Sequence, residues 1–246
     1  MQRILDYIEQ RKKDFAQTDF FEFIQNQAIH PLIRISFAPC MSHYVMSFSD
    51  LNRYVFRNLQ SEDKLQKIIN HHTLEDSRHW PWFLIDLETL GFNHQYQFTQ
   101  ALKLIWNEDT KITRQLAYQI AAHTLNAEPV IKIAAIETLE ALGHIFFSAS
   151  AFLNSEVKAI TRKDFLYFGE AHLEMETGHT TGLADVENFL AEIQLTDSQE
   201  QEALRVVDQI VNLFVEWTNE LLSYAKKYSS YLLNAAKSEI DLMAVN

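Results

Sequence analysis

The sequence contains few of the residues that form turns and covalent cross-links. It has 5 glycines, 4 prolines and 1 cysteine in 246 residues. An all-β fold needs many tight turns, which glycine and proline largely supply, so their scarcity argues against that class. The single cysteine, Cys40, excludes an internal disulfide and favours a reducing, cytoplasmic setting.

Long apolar runs and an excess of positive charge are also missing. No uninterrupted apolar run of about 18 residues occurs, so no transmembrane helix is expected. Residues 1–6 carry charges within their apolar stretch, which is not typical of a secretory signal. The 21 basic and 33 acidic side chains give a net charge of -12, which would repel nucleic acid and an anionic membrane surface. We therefore expect a cytoplasmic protein whose partners are neither nucleic acids nor membranes.

Helical periodicity is what the chain has in abundance. Hydrophobic residues make up 47% of it, and they recur at steps of three and four almost throughout. This pattern predicts an all-α bundle of about eight helices, in one domain over residues 1–246, with the segment after about residue 229 peripheral. The clearest stripe predicts a helix over residues 198–227 and consists of Leu204, Val207, Ile210, Val211, Phe214, Trp217 and Leu221.

Other predicted helices carry the polar residues of interest. Pro31 is expected to open a helix over residues 31–58, with a kink at Pro39. Ser61 is expected to cap a helix over residues 61–90. Further helices are predicted over residues 94–125, with a break near Asn107, over 129–153 and over 163–178.

The strongest polar signal is the spacing of His172, Glu176 and His179. Steps of four and three place these residues on one stripe of a helix. Burying a carboxylate is costly unless a positive group pairs with it, and a divalent metal is one such group. The alternative is an exposed helix on which the histidines and the glutamate satisfy one another.

A second signal lies in the segment from His72 to His79. Glu75 and His79 are one helical turn apart, and His72 lies a further turn back. The segment leads directly into the apolar residues that start at Trp82, so this polar stretch enters a buried region. A solvated start of a helix is the alternative interpretation.

A third signal is a pair of glutamates in an otherwise apolar helix. Glu137 and Glu140 are one turn apart, and either could point inward, where a carboxylate needs a partner. His144 follows on the same helix and is more often a satisfied core histidine than a ligand.

Together these segments predict a metal site. Three separate helices each offer a carboxylate, and two of them add histidine, which is how helical bundles build di-iron and di-manganese centres. Imidazole with carboxylate suits iron, manganese or zinc better than calcium or copper. Other chemistries find little support, because no glycine-rich phosphate loop and no Gly-x-Ser-x-Gly motif occurs. Cys40 lies in an apolar helix and is expected to be a small buried side chain rather than a nucleophile.

The same motifs resemble those of a known family. His30-Pro31-Leu32 leads into a long helix, Glu75 and His79 precede Trp80-Pro-Trp-Phe-Leu, Glu140-Ala-Leu-Gly143 lies in an apolar helix, and His172-x3-Glu176-x2-His179 comes last. This order is similar to the haem-oxygenase-like di-iron oxidases, and among them to the CADD-like proteins. The resemblance covers roughly residues 20–225, and the late motif is its specific part.

The resemblance implies a ligand set and a reaction class. The implied ligands are Glu75, His79, Glu140, His172, Glu176 and His179, with His72, Asp76, Glu137 and His144 as alternates. This chain has His72 where the family's first glutamate stands, and Glu176 where CADD has aspartate. Members of the family use iron(II) and dioxygen on a bound amine, amino acid or fatty acid. The resemblance therefore implies two iron ions per chain, with manganese as an alternative, dioxygen as co-substrate, and a small-molecule substrate.

Two other functions belong to proteins of the same general fold. Thiaminase-II-like and pyrroloquinoline-quinone-synthase-like relatives are metal-free enzymes, and the former need a catalytic cysteine. CADD was named for an interaction role, so a protein-interaction module is the other alternative. Fold analogy alone suggests a homodimer. The aromatic residues Trp82, Tyr167 and Phe168 could line a substrate pocket. The alternative is that they are ordinary residues of the hydrophobic core.

Overall fold

Helices form the regular secondary structure throughout the residues that the structure describes. This computed structural model describes residues 1–92, 97–181 and 184–243, and it describes side chains for these apart from 176–187 and 230–243. The α-helices are α1 (Gln2–Phe15), α2 (Asp19–Gln25), α3 (Pro31–Arg34), α4 (Ser42–Asp50), α5 (Lys64–Asp76), α6 (Trp80–Thr89), α7 (Phe98–Trp106), α8 (Lys111–Thr124), α9 (Pro129–Thr161), α10 (Glu170–Thr181), α11 (Ala184–Glu192) and α12 (Asp197–Met243). The predicted all-α helical bundle is confirmed.

Helix α9 occupies the centre of the bundle. It packs against α1, α2, α5, α10 and α12, and it is apolar around most of its circumference, as a helix with neighbours on every side must be. The aromatic core joins it to α12, because the ring of Phe146 stacks on that of Trp217 with the centroids 5.7 Å apart. Since α5 and α10 both contact α9, the three segments that carry the polar signals meet around it.

The helix predicted over residues 31–58 is divided into shorter pieces. Helix α3 ends at Arg34, a 3₁₀ turn spans Ala38–Met41, and α4 is followed by a π-helical segment at Leu51–Phe56. Pro39 lies in the first turn of the 3₁₀ segment, where its missing N–H costs no hydrogen bond. The predicted kink at Pro39 is therefore a complete interruption of the helix.

The helix predicted over residues 61–90 is also interrupted. It ends at Asp76, and α6 begins at Trp80 with Pro81 in its first turn. In a continuous helix the ring of Pro81 would clash with the carbonyl of Ser77, four residues earlier. The break leaves His79 at the N-cap position of α6.

The remaining boundaries agree in part with the prediction. The break near Asn107 is confirmed, because α7 ends at Trp106 and a 3₁₀ turn follows at Glu108–Thr110. Helix α9 continues to Thr161 and ends where Arg162 adopts a left-handed conformation with φ of 57°. Helix α10 begins at Glu170 rather than 163, and α12 continues to Met243 instead of ending near 227. Within the described ranges, no helix is both long enough and apolar enough to cross a membrane.

Asp63, and not the predicted Ser61, caps helix α5. Its carboxylate accepts a hydrogen bond from the backbone N–H of Gln66 at 2.9 Å, which satisfies one of the free donors of the first turn. Replacing Asp63 by alanine is therefore expected to lower the free energy of unfolding by about 1 kcal/mol. Replacing Ser61 by alanine should cost less, because its exposed hydroxyl accepts a hydrogen bond only from the backbone N–H of Asp63, at 3.2 Å, and none from the helix. Urea denaturation of the two variants measures the difference, and equal losses would contradict this cap.

Candidate metal centre

Helices α5 and α9 bring an imidazole and two carboxylates into one cluster. The Nε2 atom of His72 lies 2.9 Å from an oxygen of Asp76 and 3.2 Å from an oxygen of Glu140. One ligand atom from each of these three residues lies within 4.8 Å of the others. His72 and Asp76 are one turn apart on α5, so both face α9, where Glu140 meets them.

A pair of imidazoles, His79 and His172, joins the start of α6 to α10. The Nδ1 atom of His79 lies 3.2 Å from Nε2 of His172, and both side chains are buried, at 8% and 1% exposed. His79 reaches this position because it lies in the interruption between α5 and α6, at the N-cap position of α6. The indole of Trp82 stacks against the His79 ring at a centroid distance of 4.9 Å.

The orientation of His172 is fixed from the opposite side of its ring. Its Nδ1 atom lies 2.8 Å from the carbonyl oxygen of Tyr167. A carbonyl only accepts hydrogen bonds, so Nδ1 carries the proton in the neutral ring and Nε2 keeps its lone pair. A backbone carbonyl on one ring nitrogen is the usual way in which proteins hold a metal-binding histidine.

Asp86 holds the backbone that supplies this carbonyl. It is fully buried on α6, and its oxygens accept hydrogen bonds from the N–H groups of Leu166, Tyr167 and Phe168 at 2.7, 2.8 and 2.9 Å. Burial raises the pKa of Asp86, and these three hydrogen bonds oppose the shift. Nothing in the spacing of the motifs marks Asp86 as part of the site, although a lone aspartate among the apolar residues 82–87 is a signal that a buried acceptor is needed.

Gly169 allows the chain to turn sharply from this segment into α10. A Cβ atom at this position would collide with the carbonyl oxygen of Phe165. Only glycine fits such a close approach of backbone to backbone. The turn places His172 in the first turn of α10, where its side chain lines an internal cavity.

One cavity of about 70 Å³ connects the cluster with the pair of imidazoles. Asp76, His79, Glu140 and His172 all line it. Its other walls are mostly apolar and aromatic, and they include Met41, Tyr44, Phe48, Phe146, Phe147, Tyr167, Phe214 and Trp217. The polar ligand atoms thus face a small space with mostly apolar walls.

The cluster perturbs the titration of its neighbours. Burial disfavours the charged form of His72, but the charge of Asp76 and hydrogen bonds to Asp76 and Glu140 outweigh it and raise the pKa of His72 well above its ordinary value. Burial, followed by Tyr167 and the charges of Glu140 and Asp76, raises the pKa of Tyr44 well above its ordinary value. Tyr44 therefore presents a neutral phenol to the cavity at physiological pH.

The structure brings together some of the predicted residues and separates others. His79, Glu140 and His172 line one cavity, and the alternates His72 and Asp76 belong to the same centre. Glu75 is exposed on α5, next to the buried Asp76. Glu137 and His144 line a different cleft, which they share with Glu140. Glu176 and His179 fall within α10, but their side chains lie outside the described residues.

The three aromatic candidates occupy different places. Tyr167 lines the cavity, whereas Trp82 supports it from behind His79. Phe168 belongs to the core, with its ring centroid 6.1 Å from that of Phe37 and 6.0 Å from that of Phe83.

The donor set fits a first-row transition metal. Imidazole nitrogens and carboxylate oxygens are the ligands that iron and manganese take in helical bundles. Four such side chains, Asp76, His79, Glu140 and His172, line one largely apolar cavity, and His72 contacts two of them from α5. An apolar shell of this kind limits the access of solvent to a metal. No protein-family model matches the chain, and no curated protein is significantly similar to it.

Proposed function

We propose that the chain is a non-haem di-iron oxidase that uses iron(II) and dioxygen on a small organic substrate. The observation that carries this proposal is the convergence of Asp76, His79, Glu140 and His172 on one cavity, with His72 in contact with Asp76 and Glu140. Resemblance of the sequence motifs to the haem-oxygenase-like di-iron oxidases supports the same function. A small-molecule substrate, a cytoplasmic location and a homodimer are parts of this proposal.

The proposed ligands form two groups. His72, Asp76 and Glu140 would hold one metal, and His79 and His172 would hold the other, with Glu140 close enough to the cavity to serve both. Glu176 and His179 remain proposed ligands on sequence grounds. Iron(II) in such a site supplies the electrons that reduce dioxygen, and manganese would suit the same donors.

Groups of the protein around the cavity would prepare this centre. The carbonyl of Tyr167 keeps the lone pair of His172 directed into the cavity. The aromatic walls exclude water, which protects a strongly oxidising centre from side reactions. The neutral phenol of Tyr44 lies in the same cavity and can donate a hydrogen bond or a proton there.

A metal-free enzyme is the second candidate, and one observation favours it. The imidazole of His72 already pairs with the carboxylates of Asp76 and Glu140, as an imidazolium would in a centre without a metal. The thiaminase-II type of chemistry is not favoured, because Cys40 is buried and burial raises the pKa of its thiol. A buried protonated thiol is a poor nucleophile.

Anaerobic titration of the purified protein with iron(II) tests the proposal. We expect two iron ions per chain and, after exposure to dioxygen, a transient visible absorbance in stopped-flow measurements. Manganese(II) should compete for the same sites, whereas calcium should not, because the centre includes imidazole nitrogen. Absence of iron binding, both alone and in the presence of amines, amino acids and fatty acids, would favour the metal-free alternative.

A further inference from the structure

Helix α7 presents apolar side chains to solvent. Six of its nine residues are apolar, and none of the nine is buried. Phe98, Leu102 and Trp106 follow one another at steps of four, which places them on one face, and they are 77%, 46% and 61% exposed. An amphipathic helix ordinarily turns such a stripe toward the core. This outward stripe is therefore a candidate binding surface.

Rings from two neighbouring helices extend the stripe. The ring of His43 on α4 lies in edge contact with the rings of Trp106 and Tyr118, at centroid distances of 5.5 and 6.0 Å. Tyr118 is on α8 and is 60% exposed, and α8 packs against both α4 and α7. We call the surface formed by Phe98, Leu102, Trp106, Tyr118 and His43 the aromatic face.

The size of the aromatic face fits a single helix. If each aromatic side chain offers about 200 Å², the exposed parts of Phe98, Trp106 and Tyr118 amount to about 400 Å². The largest apolar patch on a monomer is usually about 300–600 Å² and is often functional. A stable dimer usually buries about 800 Å² on each partner, so the face is small for an interface with a second copy of the chain.

Acidic side chains are missing from the two helices that carry most of this face. The chain has 33 aspartates and glutamates, but α7 and α8 contain none. Between these helices, Glu108 pairs with Lys111 at 4.0 Å. The carboxylate of Asp109 accepts hydrogen bonds from Lys227 and Tyr228, each at 2.6 Å. The negative charge closest in sequence is therefore already paired.

One further carboxylate reaches α8 from another helix. Glu220 of α12 accepts hydrogen bonds from the backbone N–H groups of Ile112 and Thr113, at 2.7 and 2.8 Å. These are free donors of the first turn of α8, so the charge of Glu220 stabilises the start of that helix.

Two cations at the aromatic face have no such partner. Among the described residues, neither Lys103 nor Arg114 forms an ion pair with a carboxylate. The guanidinium of Arg114 lies over the indole of Trp106, 5.2 Å from its centroid, and Nη1 donates to the carbonyl of Asn107 at 3.1 Å. Its remaining N–H groups can pair with a carboxylate. Burial, followed by the charge of Arg114, lowers the pKa of His43, so that ring is neutral at physiological pH.

We propose that the aromatic face binds an acidic partner protein through one amphipathic helix. The apolar side chains of that helix would cover Phe98, Trp106 and Tyr118, and its carboxylates would pair with Lys103 and Arg114. This interaction goes beyond the proposed oxidase function and does not depend on iron binding.

The net charge of the chain favours a helix over a more extended anionic partner. A membrane or a nucleic acid would also meet the rest of the chain, whose net charge is -12. A helix on the aromatic face meets mainly the local cations, because exposed charges more than about 8–10 Å apart are largely screened at physiological ionic strength.

Fluorescence anisotropy with the full-length protein tests the proposal. The probe is a labelled synthetic helix of about 20 residues, long enough to be helical in isolation, with leucine and phenylalanine on one face and glutamate beside them. The matched probe has lysine in place of every glutamate. We expect the acidic peptide to bind at least about tenfold more tightly than the basic one, and its affinity should fall as salt is added.

Two pairs of variants locate the binding. Trp106→Ala should weaken binding of the acidic peptide at least about tenfold, because a tryptophan at the centre of an interface often dominates the binding energy. Its control is Phe152→Ala, which removes a ring that is 46% exposed on α9. Lys103→Gln should weaken binding about threefold, as expected for one exposed ion pair, whereas Lys13→Gln, at an exposed lysine on α1, should bind as wild type does.

The remaining measurements separate the other occupants. Equal affinities for the two peptides, or equal effects of the Trp106 and Phe152 variants, would overturn the proposal. Binding to phosphatidylglycerol vesicles or to single-stranded DNA that Trp106→Ala abolishes would also overturn it, as would a dimer that dissociates in this variant in analytical ultracentrifugation. Because Trp106 is exposed, its variant should keep the melting temperature and the iron(II) stoichiometry of wild type, so failure of the di-iron function leaves this test intact.

Discussion

Replacing His172 by alanine is expected to remove tight iron(II) binding from the centre. The ring is 1% exposed, its Nε2 lies 3.2 Å from Nδ1 of His79, and its Nδ1 is held by the Tyr167 carbonyl. Partners that only orient a metal ligand cost about 10–100-fold in metal affinity when they are lost. Loss of the ligand itself should therefore exceed about 100-fold, and oxygen-dependent absorbance changes should disappear with it.

The control for this variant is His71→Ala. His71 precedes His72 on α5 but is exposed, so its loss removes an imidazole without touching the cavity. Circular dichroism and melting temperature of both variants show whether the bundle persists. Free imidazole should restore part of the iron binding of the His172 variant, because the vacated space has the shape of that ring. Unchanged iron stoichiometry in a folded His172→Ala protein would disprove the assignment.

The fold class could be predicted because it depends on a pattern repeated many times. Steps of three and four recur through the chain, and each additional turn adds the same information. The break near Asn107 was also predictable. Some predicted helix boundaries were wrong. Ser61 was expected to cap α5, but Asp63 caps it. Such boundaries depend on single hydrogen bonds, and residues of similar type can make them.

For the candidate metal centre, the sequence predicted which helices contribute residues but not all of the residues that face the cavity. A continuous helix over residues 61–90 places Glu75 and His79 on one stripe. The interruption before Pro81 rotates His79 away from that stripe and leaves Asp76 as the inward carboxylate, at 4% exposed. The proline itself was the available signal, because it disfavours a continuous helix through Ser77.

The residues that orient the ligands could not be predicted from spacing. Asp86 and Tyr167 are 81 positions apart in the chain, and Tyr167 acts through its backbone carbonyl, which every residue type possesses. No side-chain pattern encodes such a contact. The way in which residues 166–168 pack against α6 decides it, and that packing depends on the whole core.

Replacing Asp86 by alanine should be among the most destabilising single changes in the chain. The carboxylate is fully buried and accepts three backbone hydrogen bonds from residues 166–168. Each buried N–H that loses its acceptor costs about 1–3 kcal/mol. Two of the three hydrogen bonds are buried, so the free energy of unfolding should fall by at least about 2 kcal/mol. Asp86→Asn should cost less than alanine, because its amide oxygen still accepts from one side. The exposed Glu88→Gln variant, two residues later on α6, should unfold as wild type does.

The Asp86→Asn variant also tests whether Asp86 supports the metal centre as well as the fold. Without Asp86 the segment that carries the Tyr167 carbonyl loses its anchor, and His172 loses the contact that fixes its protonated nitrogen. Iron(II) affinity of the Asp86→Asn protein should therefore fall about 10–100-fold under conditions in which it is fully folded. Urea denaturation and iron titration of one preparation measure both effects. Lowered stability with unaltered iron affinity would mean that Asp86 supports the fold and that His172 is oriented without it.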